Sequence, residues 1–347
     1  MKKEKIIEHL KNITEKITGI GSLPFVDLEE NVKFVKENFK DIPFLPQLPK
    51  LNFKENMNIQ VIENMPCIKL EEKKLIFSYS EEEILNAYQK IEENDIEYFK
   101  ISEEYGIGIY SLLNTEIESS FLKGQVSGPI TFLSTVKDKE GKSLIFNEIY
   151  EDVFIKILGM KGLWIAYKIE ERGKIPIIFY DEPIMGNFGS AFFPIEKNRI
   201  ENIYKILLDF IRKRNSDVLI GIHCCGNTDW NILLNLDIDI LSFDAFEYLE
   251  KFFLYWEGIE KFLQKERIVA WGIIPSTNEI ENIEFEVIRE KLNYMFHNFE
   301  NKGYNKTQIK QFSLITPSCG LAYINVDTAY KITKYLKFVS QYIQEHI

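Results

Sequence analysis

The sequence predicts an α/β protein folded as one (β/α)8 barrel over residues 1–347. Three observations point there. Eight short apolar runs, most of them ending in Gly, Pro or polar residues, have the look of buried parallel strands. Longer segments between them repeat apolar residues at helical spacing. No Gly-rich phosphate fingerprint follows any run, which weighs against the open doubly wound sheet, the main alternative. A chain of 347 residues fits a single barrel.

In chain order, "MKKEKIIEHLKNITEK" mixes acids and bases around apolar residues and reads as an N-terminal helix. It has no apolar core, so it is not a secretory signal. The early strand candidates are "ITGIGSLP" (17–24), "IPFLPQLP" (42–49) and "FLKGQVSGPIT" (121–131). Residues 50–80 break the rhythm and read as a small insertion, with a hairpin as its expected form. The later strands are clearer: 176–183, 218–225, 239–246, 267–274 and 312–320. Between them lie amphipathic stretches such as "FEVIREKLNYMFHNFENKG".

Composition narrows the partners. A net charge of −11, with no Lys/Arg run, argues against nucleic acid and anionic membranes. No apolar run is long enough for a membrane span. Four cysteines are too few for a disulfide framework at this length, so the expectation is a reduced, cytoplasmic protein.

The stretch "GIHCCGNTDW" (221–230) then stands out, because it holds one of four histidines and two of four cysteines. His223 and Cys225 are two residues apart at a strand end, so both side chains leave one face. Cys224 points the other way, as a buried small hydrophobe. Cys319, in "TPSCGLAY", lies at another strand end. All C-terminal strand ends of a barrel meet at one mouth, so a His/Cys/Cys set with an open fourth position becomes a zinc candidate of the reactive kind. Asp244, at the end of the next strand, or Glu247 beyond it, is a candidate fourth ligand. Cys67, His9, His297 and His346 are read as ordinary structural residues.

These motifs resemble a known superfamily. "TGIGSLP", "SGPIT", "YDEP", H-x-C and "SCGL" occur in the order seen in the catalytic barrel of cobalamin-independent methionine synthases. "HCCGNT" is similar to the zinc-dependent methylcobamide:thiol methyltransferases; uroporphyrinogen decarboxylase belongs to the same superfamily. The resemblance implies Zn2+ on His223, Cys225 and Cys319, and a substrate thiol, homocysteine, as methyl acceptor. It places Ile20, Gly21 and Ser22 at the amino-acid end of that substrate and Asp181 on its ammonium. Asp181 and Asp244 are the candidate catalytic acids.

The departures matter equally. There is no second barrel for a folate donor, and "WGIIPSTNE" lacks the histidine expected after the seventh strand. A second ammonium-binding acid is expected near "PKLNFKENM". The reading is therefore a zinc-dependent thiol S-methyltransferase whose donor is a methyl-corrinoid protein in place of methyl-folate. Its alternatives are methyl transfer to a thiol such as coenzyme M, a decarboxylase, and a non-catalytic zinc- or corrinoid-binding protein. The decarboxylase is disfavoured because "TGIGSLPFVD" contains no Arg.

Overall fold

Parallel strands need crossover connections, and this chain supplies them as helices. In the computed structural model, which describes residues 2–191 and 193–346, a two-stranded antiparallel hairpin comes first: β1 (Ile68–Glu71) and β2 (Lys74–Phe77). A six-stranded parallel sheet follows, in consecutive order: β3 (Phe121–Ser127), β4 (Ile175–Asp181), β5 (Leu219–Cys224), β6 (Ile240–Phe243), β7 (Ile268–Ile274) and β8 (Ser313–Pro317). Each of the six coincides with a strand expected from the sequence. The insertion does contain a hairpin. Its two-residue turn puts Glu72 and Lys73 at positive φ, the geometry that suits the twist of paired strands.

The first two expected strands do not form as strands. Residues 17–24 and 42–49 make only isolated parallel bridges: Ile17 with Ile315 of β8, Ser22 with Gln47, and Phe44 with Lys123 of β3. The cause is in the sequence. Pro24, Pro43, Pro46 and Pro49 have no N–H to give to a ladder. What remains is a pair of extended segments flanking the two edges of the six-stranded sheet.

Alternation along the strands creates two cores. The outer faces of the sheet pack with the helices in one large apolar cluster. The inner face holds a separate small cluster that includes Phe121, Ile177, Phe179, Leu219, Ile240 and Leu314. Ile6 and Leu10, from the helix Lys3–Asn12, join this inner cluster and cover it from the N-terminal side. Burying side chains of this size yields about 1.5–3 kcal/mol each, so the inner floor is a packed apolar plug. Toward the C-terminal ends the inner row turns polar, and the candidate site lies there.

Candidate metal centre

Register builds the site. Ser127, Asp181, His223 and Ser242 are paired across four adjacent strands, so their side chains share one row on the inner face. Cys225 follows β5 with the same parity as His223. Cys319 lies two residues beyond the end of β8. The three candidate ligands converge: His223, Cys225 and Cys319 bring their ligand atoms within 4.8 Å of one another. No other group of this kind occurs among the described residues.

The imidazole is already oriented. His223 is 2% exposed, and its Nδ1 lies 2.9 Å from Ser242 Oγ on the next strand. With the Nδ1 proton donated to that hydroxyl, Nε2 keeps its lone pair, and Nε2 is buried without a partner. A buried polar atom without a hydrogen bond costs about 1–3 kcal/mol. Holding one ring nitrogen through a neighbour is how a ligating histidine is oriented. The Cys319 thiol is driven well above its ordinary range, first by the adjacent Cys225 thiol and then by burial, while His223 pulls it back. A divalent cation would relieve that crowding by replacing thiol protons. The donor set therefore fits zinc: two sulfurs, one imidazole and no fourth protein ligand in the group.

Cys224 faces outward as expected. It is fully buried, and burial pushes its thiol up to about 12. Cys67 is also buried, its sulfur accepting from the Ser80 N–H at 3.2 Å inside the insertion. Neither belongs to the centre.

Asp181 is buried in the inner row, and its Oδ1 has no partner. Burial raises its carboxyl, opposed by Lys123 and His223. The Ile20–Ser22 segment reaches the centre from the other side. Ser22 O accepts from Leu321 N at 2.8 Å, and a Cβ added to Gly320 would lie 2.2 Å from Ser22 Oγ. Both contacts fall within two residues of Cys319. Gly21 packs closely here, and a Cβ would come within 2.6 Å of the Gln125 side chain, which would have to shift.

Asp244 caps the helix Ala245–Phe253, its Oδ1 accepting from Glu247 N at 2.9 Å. Burial raises its carboxyl to about 6, with that N–H opposing. Glu247 is exposed, and neither acid joins the three-residue group. The acid in "PKLNFKENM" is Glu55. Its two oxygens accept from Leu48 N at 2.5 Å and Gly108 N at 2.8 Å, so it ties loops together. The segment after β7, where a histidine was expected, offers Ser276, paired with Ser318 at 3.0 Å beside Cys319.

Sequence reasoning missed Lys123, Gln125 and Ser242. For the first two a signal was present: Lys123 and Gln125 alternate in "FLKGQVS" within a strand otherwise fit for complete burial.

Compared with known proteins, the chain matches no family model and no curated protein. It does share its fold with solved structures. One is a candidate vitamin-B12-independent methionine synthase from Listeria monocytogenes: TM-score 0.57, 12% identity, 95% of this chain and 96% of that one covered. Another is a B12-independent methionine synthase from Shewanella sp. W3-18-1 in complex with selenomethionine: TM-score 0.55, 16% identity, coverage 96% and 99%. Near-complete coverage on both sides means that both solved chains are of about this length.

Proposed function

We propose that this chain is a zinc-dependent thiol S-methyltransferase acting on homocysteine. The observation that carries the reading is the convergence of His223, Cys225 and Cys319, with the free Nε2 of His223 among them. The segments at 17–22 and 44–47 belong to the same reading, as the first two staves of an eight-membered barrel whose mouth holds the site.

Zinc bound by these residues would act as a Lewis acid, making a substrate thiol a nucleophile at neutral pH. The chain's own residues do the rest. Ser242 holds the His223 ring. Asp181, with an idle buried oxygen, accepts the substrate ammonium as a charge-assisted pair. Ile20, Gly21 and Ser22 border the substrate's amino-acid end, and the contacts of Ser22 with Gly320 and Leu321 set its distance from Cys319. Asp244, at about 6, is the acid for any step that needs a proton near neutral pH.

The donor is read as a methyl-corrinoid protein. Folate's amine leaves poorly without a proton, whereas Co(I) leaves unaided. The segment after β7 presents the Ser276–Ser318 pair and no histidine. The Shewanella neighbour is named B12-independent; the donor of this chain is argued from its own residues, and the assay separates the two. Zinc-loaded protein is incubated with homocysteine and either methylcobalamin or methyl-folate, and methionine is measured. Methionine from methylcobalamin alone is the expected result. Comparable rates from both donors would overturn the donor assignment. No methionine from either, with ready methylation of an amine-free thiol such as coenzyme M, would overturn the homocysteine assignment.

A further inference from the structure

A lysine is buried inside the sheet where no surface or solvent can use it. Lys123, in the middle of β3, is 1% exposed. Burying an ammonium is costly unless it is paired or hydrogen-bonded, so an unused one should have been lost to a Leu or Met. Its Nζ donates to the backbone carbonyl of Ile20 at 2.5 Å and reaches Gln125 Oε1 at 3.4 Å. The Phe179 ring lies 4.7 Å away. No direct ion pair joins Lys123 to Asp181, yet each charge favours the other. Burial draws the Lys123 ammonium down to about 8 and Asp181 opposes that; Asp181 in turn is held lower by Lys123.

Two features of the fold explain why the cation sits there. The segments 17–24 and 42–49 lack strand ladders, so side chains supply the missing ties. Lys123 binds Ile20 O, and Gln125 Nε2 binds Leu45 O at 2.7 Å. Ile20 begins the three residues that border the site, and Ser22 is fastened at the other end to Leu321. Thus one end of this short segment is fixed by Lys123 and the other by the loop that carries Cys319.

We infer that Lys123 is a positioning residue for the amino-acid end of the substrate: its bond to the Ile20 carbonyl pins the segment Ile20–Ser22. The inference rests on the proposed homocysteine reading. It assigns Lys123 no contact with the thiol or the metal ligands.

The test is thiol binding by Lys123→Met, a substitution of similar length that removes the donor and the charge. Binding to the zinc-loaded protein is measured for homocysteine and for 2-mercaptoethanol, which has neither ammonium nor carboxylate. The expected result is at least a tenfold weaker homocysteine Kd, a 2-mercaptoethanol Kd within twofold of the parent, and unchanged zinc content. Equal weakening of both thiols, or lost zinc, would make Lys123 a structural lysine and overturn the inference. Unchanged homocysteine affinity would overturn it as well. Should Lys123→Met fold poorly, Lys123→Gln, which is shorter and removes the charge, is read in the same assay. Selective weakening of homocysteine with zinc retained supports the pin; unchanged homocysteine affinity, or equal weakening of both thiols, overturns it. If the unaltered protein binds 2-mercaptoethanol and not homocysteine, the function reading fails first and this inference falls with it.

Discussion

Asp181 and Glu182 are neighbours in the chain, both buried, both pushed upward by loss of water, and the fold treats them in opposite ways. Glu182 points away from the inner row and has three donors: Ile130 N at 2.9 Å, Thr131 N at 2.7 Å and Tyr204 Oη at 2.7 Å. It caps the helix Pro129–Thr135 from outside, and it explains "SGPIT". A Cβ on Gly128 would sit 2.2 Å from the Glu182 carboxyl carbon, and Pro129 spends no needed N–H at the first helical position. Asp181 points inward with an oxygen left idle. Cys224 and Cys225 repeat the contrast one strand over: the first is buried outside the centre, the second is in it. Parity at the ends of β4 and β5 thus separates residues packed among the helices from residues of the inner row, and the number of hydrogen-bond partners follows the same division for the two acids.

The sharpest way to break the contrast is through the cysteines. Cys225→Ser or Cys319→Ser should weaken zinc binding more than about 100-fold, because each removes one of the three proposed ligands. Cys224→Ala and Cys67→Ser should keep full zinc. Metal content after dialysis, measured by mass spectrometry, checks all four. Full zinc in Cys319→Ser would remove the third ligand and with it the centre.

The acids come next. Glu182→Leu leaves two amides and a phenol unpaired in the core, so it should destabilise the fold by about 3–5 kcal/mol in urea unfolding. Asp181→Asn should change stability by less than about 1 kcal/mol while weakening homocysteine by about 2–5 kcal/mol. Exchange of the two outcomes would mean that Glu182 serves the site and Asp181 the fold. A smaller effect is expected at Ser242, which acts on the centre only by holding His223. Ser242→Ala should loosen zinc about 10–100-fold without removing it, read by competition with a chelator. Unaltered affinity would leave the His223 ring held by its packing alone.

How much of this was legible in the chain differs by kind of residue. The trio His223, Cys225 and Cys319 was legible because it depends on two local facts, strand parity and strand ends, and a parallel barrel gathers strand ends at one mouth. The two proline-rich segments misled because their apolar patterning is strand-like while their hydrogen bonding cannot be. The partners of Ser242 and Lys123 were hidden for another reason. Each acts through a partner brought close only by the fold: Ser242 through His223 on the adjacent strand, and Lys123 through the carbonyl of Ile20, 103 positions earlier.

Asp244 gives the smallest effect and the finest test, since it sits on the boundary between the two classes. One oxygen caps the helix Ala245–Phe253, as a structural acid would. Its half-burial near the centre is what a chemical acid would have. Asn caps a helix about as well as Asp, so Asp244→Asn should cost only a few tenths of a kcal/mol at most, and Asp244→Ala about 1 kcal/mol. The carboxyl titrates near 6 in the fold against an ordinary 3.8. A folded pKa raised above the unfolded one gives stability that is complete below the unfolded value and lost as pH rises through 6. Relative to the parent, zinc-free Asp244→Asn should therefore gain ground between pH 4 and 7. Turnover separates the roles further. A methyl–cobalt bond breaks without a proton, so the zinc-loaded Asn variant should keep its rate with methylcobalamin within about twofold. Any residual activity with methyl-folate should vanish, because that leaving group needs the acid. Collapse of the methylcobalamin rate in a folded, zinc-loaded Asp244→Asn would place Asp244 with His223 and the cysteines in the main reaction, and the capping hydrogen bond would then be the means by which the fold aims it.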